Sequence, residues 1–164
     1  MSTIYAIDPG TTQSALVSLS DGSASGDMWD NHELLSGLQS GRLTLSSPPH
    51  LVIEQIESMG MAVGKETFET VFWSGRFAQA WQSRGMKFSW SRVTRRAVKL
   101  HLCGSMKAKD ANIRQALIDK FGGIACTKKG GALYGIRSHL WAALAVAVTY
   151  REQSAVRGGP EVSA

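Results

Sequence analysis

Two short apolar runs, far apart in the chain, each end on a carboxylate. Ile4-Tyr5-Ala6-Ile7 leads into Asp8, and Leu51-Val52-Ile53 leads into Glu54. Runs this short, bounded by turn residues, read as strands rather than helices. Pro9-Gly10 forces a turn directly after Asp8, and Pro48-Pro49 ends the connection before the second run. A continuous apolar strand has no face for water, so the sheet that holds it must be covered on both sides. That requirement selects helices layered on a sheet.

The rest of the chain supplies those layers. Residues 14–18 form a hairpin with the first strand, residues 20–26 read as a polar loop, and a short third strand occupies 26–30. Asp30 or Asn31 caps a short helix through Leu38. A Gly- and Met-containing loop spans 57–64. Phe68, Val71, Phe72, Phe77, Ala78 and Trp81 then give residues 66–83 a helical stripe. A strand over 88–93 and a helix over 94–102 follow, and Gly104-Ser105 breaks that helix. Asp110 is expected to cap the next helix, which stops at Gly122-Gly123. After a Gly- and Lys-rich loop at 127–137, residues 140–150 form an Ala-rich helix, apolar nearly all round and therefore buried. The expected fold class is α/β, one mixed β-sheet flanked by α-helices. A single domain covers 1–152, and residues 153–164 form a flexible C-terminal tail.

Composition excludes several alternatives. Of the 164 residues 43% are hydrophobic and 19% charged, enough for a packed core and against global disorder. No apolar run approaches the ~18 residues of a membrane span. The first residues lack a basic region followed by an apolar stretch, so no export signal is expected. Two cysteines, Cys103 and Cys126, make neither a disulfide scaffold nor a zinc knuckle.

Charge is segregated. Residues 1–86 carry 4 basic and 9 acidic side chains, whereas residues 87–137 carry 12 basic and 2 acidic ones. A cationic block of this size suits a polyanion, because each Lys or Arg placed on a phosphate releases condensed counterions. A solvated basic face is the plainer alternative. No amphipathic stretch beside the block supports membrane insertion.

Carboxylates at the ends of neighbouring strands converge on one edge of a sheet. Asp8 and Glu54 there, with His139 near the start of the last helix, make a donor set for Mg²⁺ or Mn²⁺. Such ions activate water and neutralise the leaving oxygen in phosphoryl chemistry. Each residue also has a structural reading: Asp8 as a turn former, Glu54 as half of an ion pair, His139 as a helix-start residue. Glu57 and Asp110 are further acidic candidates, with Asp110 assigned first to the helix cap.

Four segments together resemble the RuvC-type Holliday-junction resolvases, particularly their phage-borne relatives, within the ribonuclease H-like superfamily. They are Ile7-Asp8-Pro9-Gly10-Thr11, Val52-Ile53-Glu54-Gln55, residues 104–109, and residues 143–148 of the last helix. Their order and spacing match over roughly residues 3–150. The resemblance implies a ribonuclease H-like fold and a divalent-metal endonuclease. Such an enzyme acts as a homodimer on branched DNA, typically a four-way junction, in the cytoplasm of a bacterial or phage-infected cell. It assigns Asp8, Glu54 and His139 to the metal and Lys109 to the scissile phosphate. With it, the block's Arg92, Arg95, Arg96, Lys99, Lys107 and Lys109 are read as DNA-binding. The helix carrying Phe68, Val71, Phe72 and Phe77 maps to the dimer and junction contacts. Met59 and Met61 map to a wedge at the branch point. The family's last helix offers two metal-binding positions three residues apart. His139 stands at the first, and Ala142, which has no donor, stands at the second. That departure means a weakened second metal site, an engineered knockout, or a substitute ligand such as Asp110 or Glu57. The alternative readings of the whole chain are a catalytically weakened branched-DNA-binding protein, favoured by Ala142, or a ribonuclease H-like nuclease on other branched or hybrid substrates. An actin-like kinase shares the first motif, but this length leaves no room for its second lobe.

Overall fold

The computed structural model describes residues 3–43 and 49–158. Pro48 and residues 159–164 of the expected tail lie outside the described residues. Five strands form one sheet: β1 (Ile4–Asp8), β2 (Gln13–Ser20), β3 (Ser23–Asp30), β4 (His50–Gln55) and β5 (Trp90–Thr94). Their order is β3-β2-β1-β4-β5. The first three are antiparallel neighbours, while β4 runs parallel to β1 and β5 parallel to β4. The helices are α1 (Asn31–Ser40), α2 (Lys65–Gln82), α3 (Arg95–Cys103), α4 (Asp110–Lys120) and α5 (Leu140–Arg157).

Alternation along the strands sorts their side chains into two cores. Tyr5, Ile7, Leu16, Leu51 and Ile53 pack with Leu34 and Leu38 of α1 and Trp73, Phe77 and Trp81 of α2. Ile4, Ala6, Ala15, Val17, Val52 and Val93 pack with α3, α4 and α5 on the other face. Alanines on both surfaces, Ala6 and Ala15 on the strands and Ala143, Ala145 and Ala147 on the helix, give α5 a close seat. The expected mixed sheet, covered on both faces, is therefore present.

Four expectations need correction. The polar segment at 20–26 is not a loop. Asp21 and Gly22, at φ 34° and 85°, make a tight turn, and β3 begins at Ser23. Ser23 and Ser25 face water while Ala24 is buried, so a one-sided edge strand looked like a loop. On α2 the inward face is Thr70, Trp73, Phe77, Ala78, Ala80 and Trp81, whereas Phe68, Val71 and Phe72 point outward at 65%, 48% and 62% exposure. Asp110 does not cap α4. The cap position is Lys109, whose N–H is accepted by Asn112 Oδ1 at 2.8 Å, and the Asp110 carboxylate is bonded to Arg95 instead. Finally, α5 runs to Arg157, past the helix end expected at Tyr150. Glu152 holds that extension by accepting from Lys120 of α4 at 3.0 Å and pairing with His101 of α3 at 2.6 Å. Among the described residues no helix is long and apolar enough to cross a membrane.

Candidate active site

Asp8 is the last residue of β1 and Glu54 the penultimate residue of β4. The parallel register pairs Ile7 with Ile53, so both carboxylates leave the same end of adjacent central strands. Ligands of open α/β sheets collect at that end. His139 immediately precedes α5. All three line one cleft of about 360 Å³, together with Arg95, Asp110, Ile113, Ser138, Trp141 and Ala142.

The turn after Asp8 is fixed by a buried polar network. Ser14 Oγ accepts the Gly10 N–H at 3.1 Å and donates to Asn31 Oδ1 at 2.7 Å, and Asn31 Nδ2 donates to the Gly10 carbonyl at 3.0 Å. Asn31 and Ser14 are each 1% exposed. Position 10 admits only glycine, since a Cβ there would sit 2.2 Å from the Gln13 carbonyl oxygen. The cap of α1 is Asp30, which accepts from the His32 and Glu33 N–H groups and so frees Asn31 for this task. On the other side, Ser138 at φ 47° turns the chain into α5 and sets His139 at the cleft.

Within the cleft, His139 Nδ1 lies 3.2 Å from Asp8 Oδ2. Arg95 Nη1 lies 3.9 Å from Glu54 Oε1, while its Nη2 is bonded to Asp110. Glu54 is buried, and its Oε2 has no hydrogen-bond partner. Burial raises the Glu54 carboxyl to about 7, with the charge of Asp8 pushing the same way and Arg95 opposing. Burial also raises Asp8, offset in part by His139 and Arg95.

A buried, unsatisfied carboxylate oxygen beside a second, half-buried carboxylate is costly unless a cation or a proton joins them. An all-oxygen pair with one imidazole suits a hard divalent ion, so these residues fit Mg²⁺ or Mn²⁺. Among the described residues no three His, Cys, Asp or Glu side chains are gathered into a ready-made metal site. Asp8, Glu54 and His139 thus share a cleft without forming a closed ligand shell.

The basic residues separate into four groups. Arg95 is not a free surface cation but is engaged by cleft carboxylates. Arg96, Lys107 and Lys109 are exposed at the start of α3 and just before α4, within three residues of the cleft-lining Arg95 or Asp110. Lys99 is half-buried one turn further along α3. Arg92 lies over the Trp90 ring at 5.9 Å and lines a separate recess of about 250 Å³ between β4, β5 and α2. Lys109 does not line the cleft itself. Glu57 lies exposed in the loop before α2 and outside it, and Met59 and Met61 are exposed at 69% and 77%. Sequence reasoning missed Ser14, Ser138 and the network role of Asn31, because only the folded chain brings positions 10, 14 and 31 together.

No protein-family model matches the chain, and no curated protein matches it. Solved structures do. A Thermus thermophilus RuvC structure aligns with TM-score 0.67 and 18% identity over 94% of this chain and 96% of that one. The fold is RuvC-like. T. thermophilus RuvC in complex with a Holliday junction substrate aligns with TM-score 0.69 and 15% identity, covering 96% of this chain and 97% of that one. Both alignments cover nearly the whole chain.

Proposed function

We propose that this protein is a divalent-metal-dependent endonuclease of branched DNA, cutting four-way junctions as a homodimer in the cytoplasm of a bacterial or phage-infected cell. The observation that carries this reading is the pair Asp8 and Glu54 at adjacent strand ends, Asp8 half-buried and Glu54 buried with one carboxylate oxygen unsatisfied. The RuvC-like fold supports the choice of substrate. The RuvC of similar fold was solved on a Holliday junction.

Asp8, Glu54 and His139 would hold the ion. When bound, it supplies charge neutralisation at the phosphate and lowers the pKa of water. The chain's own residues do the remainder. Asp8 orients the His139 ring through Nδ1, which leaves Nε2 either to hold the ion or, where Asp8 and Glu54 hold it alone, to take a proton from the attacking water. Water adds to phosphorus and the 3′ oxygen leaves with a proton, giving a 5′-phosphate and a 3′-hydroxyl. Lys109, Lys107 and Arg96, close in sequence to the cleft-lining Arg95 and Asp110, would grip phosphates, with Lys99 and Arg92 as further cationic contacts. These contacts position DNA without reading its sequence. Phe68, Val71 and Phe72 offer an outward apolar strip on α2 suited to a second copy of the chain.

The test is nicking of a synthetic four-way junction with Mg²⁺ or Mn²⁺, beside the Asp8→Asn variant. Metal-dependent paired nicks, lost in the variant while junction binding persists, are expected. Equal cleavage by the variant refutes the site. A second reading, a junction-binding protein with weakened catalysis, is favoured by Ala142, which lines the cleft and offers no donor. Binding of the junction without metal-dependent nicking, together with gain of cleavage in Ala142→Asp, identifies that case.

A further inference from the structure

Arg95 and Asp110 form an ion pair inside the cleft that neither helix needs. Helix α3 is already capped by Thr94, whose Oγ1 accepts the Ala97 N–H at 3.1 Å. The first turn of α4 is already tied by Asn112 Oδ1 accepting the Lys109 N–H. The Asp110 side chain is 85% exposed and would be free to face water, yet it lines the same cleft as Ala142 and binds Arg95.

Arg95 is also an incomplete counter-ion for the site. One guanidinium serves Asp110 directly and approaches only Oε1 of Glu54, at 3.9 Å, leaving Oε2 without a partner. Three carboxylates, Asp8, Glu54 and Asp110, therefore share one permanent positive charge. A divalent ion brings more charge in less volume and bonds the orphaned oxygen, so it competes with the guanidinium for the same acceptors.

We infer that Asp110 is the carboxylate that completes the donor set left short at Ala142, and that Arg95 holds it in waiting until a divalent ion displaces the guanidinium. This rests on the reading of the cleft as a divalent-metal site. Arg95 is then a positioning residue with an opposing effect: it keeps the carboxylates together in the metal-free protein and competes with the metal for them.

The two members of this pair must act in opposite directions on metal binding. The experiment is titration of the full chain with Mn²⁺ alone, without DNA, by calorimetry and by the spectroscopic signal of the free ion, with a thermal melt of each variant. Asp110→Asn is expected to weaken Mn²⁺ binding roughly tenfold, as loss of a ligand or ligand-orienting group does. Arg95→Gln is expected to tighten it severalfold. Adding Ala142→Asp to Asp110→Asn is expected to restore the wild-type affinity. A merely structural ion pair lowers thermal stability alike in both variants and leaves Mn²⁺ affinity unchanged, and that result overturns the inference. If Glu54→Gln abolishes Mn²⁺ binding while Asp110→Asn leaves it intact, only the role of Asp110 fails. If wild-type protein binds no Mn²⁺, or Glu54→Gln binds it as well as wild type, the metal reading of the cleft falls and this inference with it.

Discussion

Replacing Glu54 by Gln should make the metal-free protein more stable at alkaline pH. The Glu54 carboxyl is held at about 7 in the folded chain against an ordinary value of 4.5, chiefly by burial and then by the charge of Asp8. A carboxyl raised by folding binds its proton more tightly in the folded state. Its penalty is absent below 4.5, grows as pH rises, and is complete above 7. The difference of about 2.5 pH units corresponds to about 3 kcal/mol at 1.36 kcal/mol per unit. Glutamine keeps the shape and removes the charge. At pH 8 with chelator present, Glu54→Gln should therefore gain up to about 3 kcal/mol, or roughly 6–12 °C in Tm for a domain of this size. At pH 4.5 the two proteins should be nearly equal. Urea denaturation at pH 4.5, 6 and 8 measures the effect. Addition of Mg²⁺ at pH 8 should close the gap by stabilising wild type alone. A Gln variant less stable than wild type at pH 8 in chelator would show that Glu54 is not a strained charge and would remove the physical basis for the site.

Other consequences concern different parts of the molecule. His50 is buried between Ser89 Oγ at 2.7 Å and Ser91 Oγ at 2.9 Å and stacked on Tyr150, and burial lowers it to about 4. A histidine kept neutral by the fold stabilises fully above its ordinary value of 6.5 and loses that contribution as pH falls toward 4, about 3 kcal/mol in all. An NMR titration should show its ring still neutral at pH 5.5, and a normal titration near 6.5 contradicts this. Asn31→Leu strands the Gly10 carbonyl and Ser14 hydroxyl, and should cost about 1–3 kcal/mol in urea melts while loosening the turn behind Asp8. An unchanged melt argues against the network. Joint replacement of Arg96 and Lys107 by Ala should reduce the slope of log K against log salt for junction binding by roughly 2, since each phosphate contact contributes about 0.9. Arg95→Ala, by contrast, should leave that slope nearly unchanged in chelator, because in the metal-free protein its guanidinium is already spent on carboxylates.

Local pattern fixed much of this in advance. The continuous apolar runs marked β1 as a strand and β4 as a buried one, because such segments have nowhere else to place their side chains. The strand ends then named Asp8 and Glu54, and the all-apolar last helix was legible as buried. Edge strand β3 was not, since a strand wet on one face shares its composition with a loop. The outward placement of Phe68, Val71 and Phe72 was equally hidden, because α2 carries large apolar residues on both faces and only packing against β4 and β5 chooses between them. The partner of Asp110 could not be read at all. Helix capping is a local interaction that sequence exposes, whereas an ion pair with Arg95, 15 residues away, exists only when α3 and α4 meet at the cleft. Sequence alone determined which residue types stand at the ends of the central strands. Tertiary structure alone decided that one arginine stands among three carboxylates there, because that depends on distances no linear spacing contains.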